Sequence, residues 1–211
     1  MRVETFLTLT LVPLFLSAGF AQQPPAEPSS AALIEPQVAL ANGTSEWMLT
    51  AGPAWGVSLL HSVAGHDYLL QSVSWGRILT DPIGPGALRG RFQWAVEVVP
   101  LYGQYAPEKT YGVGLTPIVW RWNFERRGRL STYAELAGGG LWTQDPVPQR
   151  TTTANFTAHL AYGVRYFIRP QQAFVASYRF HHISNGNRLE SNPGVNAHVL
   201  QFGWTLLRPR A

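Results

Sequence analysis

The sequence predicts an all-β fold: an eight-stranded antiparallel transmembrane β-barrel preceded by a signal peptide and a disordered leader. Three observations predict it. Residues 1–21 read as an export signal. Beyond Ser45 the apolar residues recur with a period of two between turn signals, and no stretch sustains a helical period. The segments of strand length number eight, an even count that matches the smallest outer-membrane barrels, whose closure leaves no backbone group unpaired in hydrocarbon.

The export signal comes first. Met1 to Ala21 opens with Arg2, continues through the mostly apolar run Phe6 to Leu16, and ends on Gly19, Phe20 and Ala21, a small-x-small cleavage pattern. Pro13 interrupts the run, which falls short of the roughly 18 residues of a spanning helix. Cleavage rather than anchoring is therefore expected, with a mature chain starting near Gln22. From Gln22 to Thr44 the chain is rich in Pro, Ala, Ser and Gln and carries too little apolar surface to order itself. The expected organisation is a signal peptide at 1–21, a flexible leader at 22–44, and an outer-membrane barrel at 45–211, a length that suits one domain.

Strands are expected at 46–60, 67–80, 89–102, 110–124, 129–142, 153–167, 172–184 and 194–207. The clearest is Ala154 to Tyr166, where Phe156, Leu160, Tyr162, Val164 and Tyr166 alternate with Asn155, Thr157, His159 and Arg165. Phe92, Trp94, Val96 and Val98 alternate in the same way with Arg91, Gln93 and Glu97, and Leu200, Phe202, Trp204 and Leu206 with Gln201, Gly203 and Thr205. In a membrane barrel the oily face meets lipid; in a secreted sandwich or lipocalin-like barrel it would form the core. Trp55, Trp75, Trp120, Trp122 and Trp142 lie near strand ends, where interfacial girdles sit. With both termini periplasmic, the connections after strands one, three, five and seven face outward, and 125–128 and 168–171 are short periplasmic turns. The connection at 81–88 is longer than this scheme prefers.

Composition narrows the chemistry. The absence of cysteine excludes a disulfide framework, a thiol nucleophile and the cysteine of a bacterial lipid anchor. The formal charge is +4, the sequence pI is about 9.7, and Lys109 is the only lysine. Arginine forks onto phosphate, which suits phosphorylated lipid A; arginines can equally occupy turns and a barrel interior. Nucleic acid is not an expected partner of an exported membrane barrel.

The segment Tyr178 to Leu200 carries candidate chemistry. Phe174, Tyr178 and Phe180 define an oily face on strand seven, so His182 and Ser184 share it, while Ser177, Arg179 and His181 face the lumen. On the last strand the face of Leu200, Phe202 and Trp204 extends back to His198 and Asn196. A histidine and a serine two residues apart on one strand face can act as general base and nucleophile. Such a pair needs an orienting group and an oxyanion donor. Asn196 is a candidate orienter across the hairpin, Asn185 or nearby amides could hold the oxyanion, and Glu190 is an alternative acid. By spacing alone, His182 and Ser184 read rather as a polar strand end entering a surface loop, and His198 as an interfacial histidine. His181 and His182 point to opposite faces and make no zinc pair.

His182, Ile183, Ser184 and Asn185, followed by Asn192, Pro193, Gly194 and a final strand, resemble the His-x-Ser-Asn signature of outer-membrane lipid A 3-O-deacylases of the PagL type, an acyloxyacyl hydrolase-like family. The resemblance implies an eight-stranded barrel in the bacterial outer membrane whose Ser and His face lipid and remove the 3-linked acyl chain of lipid A. It implies Ser184 as nucleophile, His182 as base and Asn185 as oxyanion contributor. The family's acidic residue would fall at position 196, where this chain has Asn196. An amide can fix the imidazole tautomer but brings no full charge to an imidazolium. The motif spans 182–196, and the chain runs past its last aromatic, Trp204, into TLLRPRA, whereas many outer-membrane barrels end on an aromatic. The expected partners are the membrane and lipid A or another acylated glycolipid of the outer leaflet. No metal or organic cofactor is implied, and a homodimer stays open. A non-catalytic small outer-membrane barrel, structural or adhesin-like, is the alternative.

Overall fold

A computed structural model describes residues 39–125, 127–188 and 192–210. The expected signal peptide and the expected leader before Ala39 lie outside them. The strands β1 (Ser45–Val57), β2 (Asp67–Ile78), β3 (Gly90–Ala106), β4 (Thr110–Phe124), β5 (Leu130–Thr143), β6 (Ala154–Arg169), β7 (Gln172–Ser184) and β8 (Val195–Arg208) pair antiparallel in sequence order. β8 also pairs with β1, which closes the barrel. Two strand ends differ from the periodicity reading by three residues or more. β1 stops at Val57 because the Ser62 hydroxyl caps it, donating to the Val57 carbonyl at 2.8 Å and accepting from the Leu59 amide at 3.1 Å. β3 runs on to Ala106, with Gly103 and Gln104 paired to both β2 and β4 and Ala106 to β2.

The amphipathy is inverted relative to a soluble protein. Leu160 and Phe202 are 62% and 61% exposed on the outer wall, while Glu46, Arg121 and Arg165 are 1%, 1% and 0% exposed inside. A continuous belt of exposed Leu, Trp, Phe and Tyr around a charged interior is what hydrocarbon solvent selects, and it excludes the sandwich and lipocalin-like readings. Trp55, Trp75, Trp120 and Trp142 are all on this outer wall.

Strict alternation fails at two prolines. Around Pro100 and Pro117 the β3 and β4 ladders shift register, because proline offers no N–H to the partner strand. In β3 the inward residues are Arg91, Gln93, Ala95, Glu97 and Val99 before the shift, and Tyr102 and Gln104 after it. In β4, Thr116 faces inward before Pro117, and Val119, Arg121 and Asn123 do so after it.

The interior is filled in layers. Ala39, Leu40, Ile78, Phe167, Ala173 and Leu207 form an apolar plug at the end where β1 begins and β8 finishes. Composition placed Ala39 and Leu40 in the flexible leader; they are buried because they seal this end. A polar layer follows. Glu46 accepts from Arg165 Nε at 2.7 Å, Arg121 Nη1 at 2.9 Å, Gln93 Nε2 at 2.8 Å and Thr205 Oγ1 at 2.7 Å. Glu135 pairs with Arg121 and His159, and Glu97 takes both terminal nitrogens of Arg179 at 2.8 and 2.7 Å. A second apolar cluster around Tyr68, Tyr102, Ile183 and Val199 closes the other end. Arg121, Arg165 and Arg179 thus serve the interior, where paired guanidinium and carboxylate groups satisfy one another.

Candidate functional site

The site forms where β7 ends and β8 begins. Phe174 and Tyr178 are exposed on the lipid-facing side of β7, and strand alternation carries that face to His182 and Ser184, both half-buried. His181 points inward, where its Nδ1 meets the Tyr68 hydroxyl at 2.7 Å, so the neighbouring histidines do diverge. His182 stands directly opposite Asn196 in the β7–β8 ladder, and its Nδ1 lies 2.6 Å from Asn196 Oδ1.

Asn196 is only 1% exposed although it shares the outward face of β8. The connection from β1 to β2 folds across it. Val63 N–H donates to the Gly194 carbonyl at 3.1 Å, and Asn196 Nδ2 donates to the Leu59 carbonyl at 2.6 Å. This second bond settles the amide's orientation, since a carbonyl can only accept. The Asn196 oxygen must then face His182, and His182 Nδ1 must carry the proton. In the neutral imidazole Nε2 then carries the lone pair, the form a general base needs.

Ser184 stands opposite Phe156 of β6, and among the described residues its hydroxyl has no hydrogen-bond partner. The loop beyond it folds back on itself. Asn185 N–H donates to Asn192 Oδ1 at 3.0 Å, and Asn192 Nδ2 donates to Asn187 Oδ1 at 2.8 Å. Arg188 donates to the Asn185 carbonyl at 2.9 Å and to the Ala154 carbonyl, with its guanidinium 4.9 Å from the centre of the Phe156 ring. The Asn185 side chain is buried, and its backbone N–H is already engaged. Glu190 lies outside the described residues. His198 sits further along β8, stacked on Tyr178 and bonded to its hydroxyl at 2.6 Å, and belongs to the lipid-facing wall.

Two glycines shape the site beyond what spacing suggested. Gly194 has a φ of +65°, and a Cβ there would lie 3.1 Å from His182 Cε1. Gly186 has a φ of +66°, and a Cβ there would lie 2.8 Å from the Phe156 ring. The asparagine–glycine and proline–glycine steps in the sequence were the available signals. A concavity of about 640 Å³ lies elsewhere: it is a furrow on the outer wall lined by Leu49, Ala51, Ala176, Phe202 and Trp204 among others. Eight strand residues, roughly 26 Å at about 3.3 Å each, separate Ala176 from Ser184. The furrow is apolar and lies apart from the polar cluster.

Over residues 37–205 the sequence matches the family described as lipid A 3-O-deacylase (PagL). The chain belongs to the lipid A 3-O-deacylase family. No curated protein matches it. Among solved structures, Neisserial surface protein A is similar with a TM-score of 0.56 at 18% identity, covering 78% of this chain and 99% of that one. The outer membrane enzyme PagL gives 0.51 at 12% identity, covering 76% and 98%. At these identities the likenesses speak for the fold. Together with the family match and the apolar outer belt, they put this deacylase-family barrel in the bacterial outer membrane.

Proposed function

We propose that this member of the lipid A 3-O-deacylase family is a serine esterase that removes an ester-linked acyl chain from lipid A or a related glycolipid of the outer leaflet. The observation that carries the reading is the His182–Asn196 bond of 2.6 Å, on the lipid-facing wall that also bears Ser184. In this mechanism His182 Nε2 takes the Ser184 proton as Oγ attacks the ester carbonyl. Collapse of the tetrahedral intermediate expels the sugar alkoxide, which receives that proton, and leaves an acyl-serine that water hydrolyses with the same base. Asn196 holds the imidazole tautomer. Asn185 would join the oxyanion hole by exchanging its bond to Asn192 for one to the substrate oxygen.

The test is mass spectrometry of lipid A from matched cells producing the wild type or Ser184→Ala, with heat-modifiable gel migration as the check that both barrels fold. Loss of one hydroxyacyl chain only with the wild type supports the esterase and its nucleophile together. Identical lipid A from both cells would overturn this reading and favour a barrel without chemistry at this site.

A further inference from the structure

The β1–β2 connection holds a turn that its residues do not favour. Leu60 and His61 have φ of +53° and +66°, and the Ser62 amide donates to the Leu59 carbonyl at 3.1 Å. Two successive positive φ values with this closing bond describe the mirror-image turn that asparagine and glycine normally supply. Leucine and histidine are strained in it, so other contacts must hold them there. The Ser62 hydroxyl bonds to Val57 and Leu59, and the Val63 amide bonds to Gly194 of the site strand. The product of the strain is the position of one atom. The Leu59 oxygen accepts from both the Ser62 amide and the Asn196 amide, filling its two acceptor sites.

We infer that the Leu59 carbonyl is a positioning group of this centre: by holding the Asn196 amide one way round, it sets the His182 tautomer and makes asparagine, rather than a carboxylate, the residue that works at 196. This inference rests on the esterase reading. A carboxylate at 196 that kept one oxygen on His182 would aim its other oxygen at the Leu59 oxygen, across a gap now 2.6 Å wide, with no proton between them. The turn and the asparagine are therefore a matched pair.

The experiment is a double-mutant cycle on the full chain in detergent micelles, using Asn196→Asp, Leu60→Pro and their combination. Proline holds φ near −65°, incompatible with this turn, and so withdraws the carbonyl from position. Ser62→Ala, which removes two of the turn's bonds, is the milder companion. Heat-modifiable migration shows which variants fold. With Asn196→Asp alone, kcat for lipid A deacylation should fall at least tenfold, with KM little changed. In the Leu60→Pro or Ser62→Ala background the same substitution should raise kcat, because the opposing oxygen has moved away. Asn196→Asp at or above wild-type activity in the native loop, or strictly additive effects, would overturn the inference.

A second readout is independent of turnover. Nitrogen-15 spectra of histidine-labelled protein, with the His182 signal assigned from His182→Gln, should show the proton on Nδ1 in the wild type and a tautomer mixture in Leu60→Pro. A proton on Nε2, or a spectrum indifferent to the turn, would sink the inference. A wild type that hydrolyses no acyl ester yet shows the Nδ1–H tautomer and its dependence on the turn would fail the esterase reading while upholding the positioning role.

Discussion

At Gly194 two constraints meet in one residue. Its φ of +65° lies in the left-handed region, and a Cβ there would crowd His182 Cε1 at 3.1 Å. Gly194→Ala therefore adds backbone strain of about 1–2 kcal/mol and presses on the imidazole that the mechanism needs in place. Since about 1.4 kcal/mol corresponds to tenfold in rate, deacylation should slow by roughly an order of magnitude or more in kcat, while gel migration still reports a folded barrel. A wild-type kcat would show that the imidazole has slack at this position. The pair His182 and Ser184 could be read from the sequence because alternation along a strand is a local rule. Asn196 could be read because the hairpin sets it opposite His182. The Leu59 carbonyl could not, since it lies 137 residues from its partner and a backbone oxygen has no residue type to recognise.

The strands themselves obey the period-two rule closely enough to be located, and depart from it where proline breaks the ladder. Leu160, in the middle of β6, faces lipid. Leu160→Arg should cost about 2–4 kcal/mol, the penalty for arginine near the bilayer midplane, measured by denaturant unfolding in lipid vesicles. β3 offers a sharper test of the shift at Pro100. Unbroken alternation from Val96 and Val98 would put Tyr102 on the lipid wall, whereas it is buried against Tyr68 with ring centres 4.7 Å apart. Tyr102→Ala should thus cost about 3–5 kcal/mol, as for a core aromatic, and Tyr105→Ala, on the exposed side, clearly less. Equal losses would contradict the change of face.

Across the whole barrel, stability converges on Glu46. This single carboxylate of β1 is bonded to residues of β3, β4, β6 and β8, including two fully buried arginines. Removing it leaves Arg121 with Glu135 alone, and Arg165 with the neutral Asn123 and no carboxylate among the described residues. Glu46→Ala should destabilise the barrel by about 3–5 kcal/mol, read as a lower urea midpoint by tryptophan fluorescence; an unchanged midpoint would mean that water replaces the carboxylate at little cost. The sequence by itself determined the strand count, their approximate bounds, the two unlike faces of each strand and the histidine–serine pair, because each follows from neighbours a few residues apart. Only the tertiary structure decided that the interior consumes three arginines, that Ala39 and Leu40 seal one end, and that a strained loop buries Asn196. Those outcomes depend on closing β8 against β1 and folding a connection over the seam. Closure brings together groups far apart in the chain whose pairing no local pattern encodes.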